Sequence, residues 1–135
     1  GIAHKQKKKK LADNDKGLRK RMAQMAFNKF IRERDKGDAC ISCQRSNDVK
    51  INAGHYKSVG SSPELRFEEL NVHRQCEACN AYLSGNIENY RINLVKKIGL
   101  DKVEWLEGKH EPKHYTCEDL KEIELKYKQK YKDLL

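Results

Sequence analysis

Residues 76–86 read CEACNAYLSGN. Cys76 and Cys79 stand two residues apart, and Asn80 follows directly. A second pair, Cys40 and Cys43, lies upstream in CISCQ, with 32 residues between the pairs. Each C-x-x-C turn aims two sulfurs at one point. The long spacer lets the two turns meet from opposite sides. Four thiolates meet the tetrahedral preference of zinc, at about 2.3 Å per sulfur. A full ligand set leaves no open position, so the pattern predicts one structural zinc per chain. A first knuckle on a hairpin and a second one entering a helix make a treble clef. The fifth cysteine, Cys117, falls in the first turn of a late helix and reads as a plain half-buried thiol. An odd count without a secretion signal argues against a disulfide framework.

The rest of the composition fits a domain that needs such help. The chain has 135 residues, 37% hydrophobic and 36% charged, so its core is small. No stretch approaches the roughly 20 apolar residues of a membrane span, and no signal-peptide pattern opens the chain. No membrane partner is expected. The first residue is Gly1 rather than Met, so further residues before it are expected. The net charge of +9 is unevenly placed: residues 1–36 hold 13 Lys and Arg against 4 Asp and Glu, and the remainder balances at 16 of each. A basic arm on a neutral body suits a polyanion, most simply nucleic acid. The plainer reading is a solvated tail.

Periodicity divides the chain into a basic helical arm (1–36), a zinc-bound core (37–99) and C-terminal helices packed on that core (100–135). In the arm, Leu18, Met22, Met25, Ala26 and Phe30 recur at helical spacing. This predicts a helix over 18–35, with its stripe on the body or on a second copy of the chain. The run Lys7–Lys10 is expected to repel itself out of order. A helix is predicted over 77–84, with Gly85 as its left-handed cap. The next helix carries Ile87, Tyr90, Leu94 and Ile98 on one face. A short one follows, with Asp101 and Glu104 at capping-box spacing. The last is capped by Thr116 and Asp119 and buries Leu120, Ile123, Tyr127, Tyr131 and Leu134.

Between the knuckles lie AGHY (53–56) and LNVH (70–73). Phosphodiester hydrolysis needs a group to deprotonate water, and neutral imidazole suits this near pH 7. It needs a partner for the imidazole's other nitrogen, which an amide or a backbone carbonyl can be. It needs a divalent cation at the phosphate, and Mg²⁺ takes oxygen ligands. His55, Asn71 and Asn80 match by residue type. Each has a plainer role: His55 as a satisfied polar residue, Asn71 closing a turn, Asn80 capping its helix.

A His, then N-[LV], then C-x-x-C-[HN] between zinc knuckles resembles the HNH, or His-metal finger, nucleases. More closely, FIRERD, CISC, AGHY, LRF, QC, CN and SGN, in that order and spacing, resemble the phage lambda NinG family, also called Rap recombination endonucleases. The likeness runs from about Phe30 to the end. It implies an α+β fold with a zinc-stabilised treble-clef ββα-metal core and flanking helices. It implies a dimeric, metal-dependent endonuclease acting on branched DNA such as Holliday junctions and D-loops, in the bacterial host cytoplasm, with no small-molecule substrate. By that resemblance His55 is the base, Asn71 its orienter and Asn80 a ligand of Mg²⁺ or Mn²⁺. Many HNH enzymes place a second ligand directly before the base, where this chain has Gly54. Asn52, His73 or Asn86 are the substitutes considered. Lys57, Arg66, Arg74, Arg32, Lys20 and Arg21 are the expected phosphate contacts. Two other readings stay open: a zinc-dependent DNA-binding module without catalysis, and an HNH nuclease for ordinary duplex.

Overall fold

The computed structural model describes residues 2–46 and 49–135, with the backbone alone for residues 8–13. Seven regular elements follow in order. They are helices α1 (Ile2–Asp13) and α2 (Lys16–Arg34), strands β1 (Ile51–His55) and β2 (Val72–Cys76), and helices α3 (Ile87–Ile98), α4 (Leu100–Glu107) and α5 (Cys117–Leu134). The chain divides into two compact units, Gly1–Phe30 with His114–Leu135, and Ile31–Lys113. These boundaries differ from the expected ones at 36 and 99. The last helix groups with the arm, and α4 stays with the strands and the two cysteine pairs.

In the first unit the arm is more helical than its charge suggested. The backbone of residues 2–13 is α-helix, because lysine is a good helix former whose long side chain carries its charge away from the axis. Asp15 starts α2 two residues early by accepting from the Leu18 amide at 3.0 Å, an N-cap. The buried stripe is Ala23, Ala26, Phe27 and Phe30, while Met25 is exposed. Phe27 meets the Tyr127 ring edge-on at 4.7 Å between centroids. Glu124 is buried and is held by Lys128 at 2.6 Å and Arg19 at 3.5 Å. The capping box at Thr116 and Asp119 forms as expected. Leu134 is exposed, however, since the stripe of α5 runs out before its last turn.

The second unit holds the sheet. Strands β1 and β2 pair antiparallel, with Ile51 opposite Cys76, Asn52 opposite Gln75, Gly54 opposite His73 and His55 opposite Val72. Beside them Tyr56, Leu65, Tyr90, Leu94, Val103 and Leu106 form the apolar core. Tyr90 is fully buried and donates to the Gly54 carbonyl at 2.7 Å, which ties α3 to β1. Arg91 and Tyr56 both bind Glu107 and so lock α4 to α3 and to the hairpin. The expected capping box at Asp101 does not form. The N-cap of α4 is Gly99, with φ +94° and no side-chain cap. The helix expected over 77–84 is one π-turn, Ala78–Tyr82. Ser84, Gly85 and Asn86 follow it with φ +49°, +85° and +45°, which reverses the chain into α3.

Candidate functional site

The first cysteine pair lies in a turn rather than on a hairpin. The Cys40 amide donates to the Arg45 carbonyl and the Ile41 amide to the Arg74 carbonyl, both at 2.9 Å, which hangs the turn from β2. The second pair spans the end of β2 and the π-turn. The four sulfurs all lie within 4.8 Å of one another. Cys43 and Cys76 are 3.7 Å apart, far beyond a disulfide bond and close to the roughly 3.8 Å edge of a zinc–thiolate tetrahedron. Three N–H groups face the sulfurs at 3.5 Å: Cys43 N on Cys40, Cys79 N on Cys76 and Asn86 Nδ2 on Cys79. Such donors stabilise thiolates. Four close cysteines here can hold a metal ion such as zinc.

Beside this centre opens a cleft of about 480 Å³, lined by His55, Lys57, Ser58, Asn80, Ser84 and Gly85 among others. His55 ends β1. Its Nε2–H donates to the Arg66 carbonyl at 3.0 Å, so Nδ1 keeps the lone pair. Burial depresses its pKa below the ordinary 6.5. The Arg66 carbonyl opposes that shift and the Arg66 charge adds to it. The ring is therefore neutral at pH 7.

Asn71 does not touch the imidazole. It is fully buried; it accepts from the Lys57 amide at 2.8 Å and donates to the carbonyls of Lys57 at 3.0 Å and Leu65 at 3.3 Å. It thus pins the segment after His55 to the loop whose next carbonyl, that of Arg66, seats the ring. Its orienting action is indirect. Removing three buried bonds leaves backbone groups unpaired, at roughly 1–3 kcal/mol each. Asn71→Ala is expected to destabilise the protein by about 3 kcal/mol in urea melts at constant zinc content.

The other candidates scatter. Asn80 is exposed on the π-turn and lines the cleft. His73 has no free nitrogen: Nε2–H donates to the Leu70 carbonyl at 2.8 Å, and Nδ1 accepts from Arg34 at 3.3 Å. Burial, with Lys97 and Arg34 nearby, pushes its pKa down to about 3 against the pull of the Leu70 carbonyl and Asp35. It belongs to a buried polar cluster, not to a cation site. Asn86 turns its amide to the Cys79 sulfur and its oxygen to Asn89. Asn52 faces Gln75 across the ladder and is not part of the cleft lining. Lys57 lines the cleft, and Arg66 lies over the Phe67 ring. Arg74 lines a separate depression with Lys96 and Lys97. Arg32 is exposed on α2, while Arg21 and Lys20 lie in the first unit.

Two features of this unit escape a linear reading. One is buried Asp35, which receives Arg34 at 2.8 Å, Lys97 at 3.0 Å and the Arg74 amide at 3.1 Å. Burial alone would raise its pKa, but Arg34 and Lys97 hold it near 2. The other is the tip beyond Asn80, where Tyr82 and Leu83 are 77% and 57% exposed.

The fold and the sulfur cluster define a small mixed α and β protein with a four-cysteine cluster, able to hold a metal ion, beside a polar cleft. The chain belongs to the NinG family: residues 2–135 match the family described as bacteriophage lambda NinG protein. It is 42% identical over 126 residues to protein ninG of Escherichia phage 933W, of Salmonella phage P22 and of Escherichia phage lambda. These alignments cover 93% of the chain and 62–63% of the relatives, so the chain spans somewhat under two thirds of their length. No solved structure matches it. No helix among the described residues is long and apolar enough to cross a membrane.

Proposed function

We propose that the chain is a divalent-metal-dependent endonuclease of the HNH, treble-clef type. In this proposal it acts as a homodimer on branched DNA in the host cell. The supporting observation is His55. It is a neutral imidazole with Nε2 committed to a backbone carbonyl, and it lines the cleft that Asn80 also lines. That arrangement leaves one basic nitrogen at a cleft wide enough for a phosphodiester.

In the proposed mechanism Nδ1 of His55 takes the proton of the attacking water. Arg66 keeps the ring in the tautomer that can do so, and Asn71 keeps Arg66 in place. Asn80 offers an amide oxygen to a Mg²⁺ or Mn²⁺ ion, which when bound supplies charge stabilisation at the phosphate and the leaving oxygen. The zinc set in the four thiolates is structural and carries no step. Exposed Tyr82 beside the cleft suits an unstacked base at a branch point, where an aromatic face gives sequence-independent affinity.

Phosphate contacts are assigned to Lys57, Arg66, Arg74, Arg32, Lys20 and Arg21. If all six engage, the salt slope is about −5, and affinity falls about 10³-fold between 50 and 200 mM salt. An affinity unchanged across that range would remove the arm from the interface. The test of the reading itself is cleavage of a synthetic four-way junction and a matched linear duplex by zinc-loaded protein, with and without Mg²⁺ or Mn²⁺. Divalent-dependent cutting of the junction alone is expected. Equal cutting of both substrates points to a duplex nuclease. Binding without cutting under either ion points to a DNA-binding module.

A further inference from the structure

Strand β2 carries an arginine whose backbone is tied on both sides while its tip is left alone. The Arg74 amide donates to Asp35 at 3.1 Å, and its carbonyl accepts from the Ile41 amide at 2.9 Å. The side chain is half-buried, and its Nε–H is sealed from solvent with no hydrogen-bond partner. Among the described residues no carboxylate pairs with it. Arg34 and Arg91 are half-buried in the same unit, and each has one, Asp35 and Glu107, at 2.8 Å. A guanidinium that is partly desolvated and unpaired calls for a counter-charge from outside the chain.

Arg74 lines a depression of about 340 Å³ that shares no lining residue with the His55 cleft. Most other polar groups of that depression are engaged. Lys97 sits between Asp35 at 3.0 Å and Asp38 at 3.6 Å, which also takes the charge of Asp38 out of the balance. The Gln44 NH₂ donates to the Cys40 carbonyl at 2.9 Å. The Asn93 NH₂ donates to the carbonyls of Asn89 at 3.2 Å and Ser42 at 3.3 Å. Lys96 is exposed and, like Arg74, makes no side-chain hydrogen bond or ion pair among the described residues. Two uncompensated cations remain, and the ligand they select is an anion. Lys96 lies in the last turn of α3, where the helix dipole favours a lysine in any case. Arg74 stands on a strand, where no comparable dipole acts.

We propose that Arg74 and Lys96 form a phosphate site, separate from the His55 cleft, that holds one backbone phosphodiester of bound DNA. Two cations hold a free phosphate ion only weakly. A phosphate on a polymer gripped elsewhere on the chain arrives at high effective concentration, so a backbone phosphate is the occupant. The inference rests on the DNA-binding part of the proposed function and is independent of cleavage. It gives Arg74 a partner in Lys96 and gives the substrate a second hold apart from the cleft.

The test measures binding of a synthetic four-way junction by the zinc-loaded full chain over a range of salt, without added divalent ion. Wild type is compared with Arg74→Gln, Lys96→Gln and the double variant at equal zinc content. The double variant is expected to bind roughly tenfold more weakly at about 0.1 M salt and to lose about 0.9 from the salt slope, the share of one phosphate. Each single variant should fall between, because both cations serve the same phosphate. Additive losses that sum to about 1.8 mean two separate phosphates and overturn the shared site. Wild-type affinity and slope in the double variant overturn the inference and leave the DNA reading standing. If Arg74→Gln fails to fold, exposed Lys96→Gln decides, and wild-type binding by it overturns the site. Side-chain ¹⁵N resonances of Arg74 and Lys96 identify the source of the phosphate. The junction should shift them, and inorganic phosphate at the same concentration should not. An equal shift by inorganic phosphate overturns the backbone assignment. A wild-type chain that binds no DNA overturns both readings.

Discussion

If zinc fills the four-cysteine cluster, stripping it is expected to unfold Ile31–Lys113. Among the described residues, Val49 and Ile51 are the hydrophobics that pack against the cluster of Cys40, Cys76 and Cys79. Without an ion, the four sulfurs within 4.8 Å of one another, three of them buried, have weak N–H contacts at 3.5 Å in place of an ion's charge to set against their desolvation. Zinc binding in small peptides is worth roughly 10–16 kcal/mol, which equals or exceeds the whole stability of an ordinary domain at about 5–15 kcal/mol. A strong chelator should therefore abolish cooperative melting of this unit, and Cys76→Ser should do the same without chelator. Zinc content and near-ultraviolet circular dichroism check it. A chelated protein that keeps its melting transition would show that the apolar core around Tyr90 and Leu94 is sufficient, and that the centre is ornamental to the fold.

That centre was the most legible part of the chain, because metal ligation depends on residue type and short spacing. The capping box of α5 and the Tyr90 and Leu94 part of the α3 stripe were legible for the same reason, that their spacing is local, while Ile87, expected on that stripe, is exposed. The rest of the site was not. The π-turn at Ala78–Tyr82 is five residues long, too short for periodicity to tell it from an α-turn. The seat of His55 is a carbonyl eleven residues away, a group every residue possesses and no sequence pattern marks. Asn71 was marked, but its action passes through the backbone of Lys57 and Leu65, which only the folded loop brings together. Gly54 read as a gap because strand register was unknown. The space beside it is occupied by the Gln75 side chain, reaching diagonally across the ladder. His73, a candidate ligand by type, was claimed by Arg34 and Leu70 through contacts that span up to 39 residues.

On the proposed endonuclease reading, replacing His55, its proposed base, should have the largest effect on chemistry. His55→Ala is expected to lower junction cleavage by 10²–10⁴-fold, the usual contribution of a positioned general base, with zinc content and DNA binding retained. Imidazole in the buffer should restore part of the rate, since the vacated volume opens on the cleft. The pH profile carries the independent check. Burial holds the folded pKa below 6.5, so the neutral, active ring already predominates at neutral pH. Wild-type rate should rise with pH through a limb lying under 6.5 and level off above it. The same depression has a stability sign: the unfolded ring binds more protons below pH 6.5, so the share of stability tied to His55 is present above that value and lost as pH falls. A rising limb centred well above 6.5, or His55→Ala cutting at the wild-type rate, would remove His55 from the proton transfer and leave its bond to Arg66 as a purely structural tie between β1 and the loop that follows it.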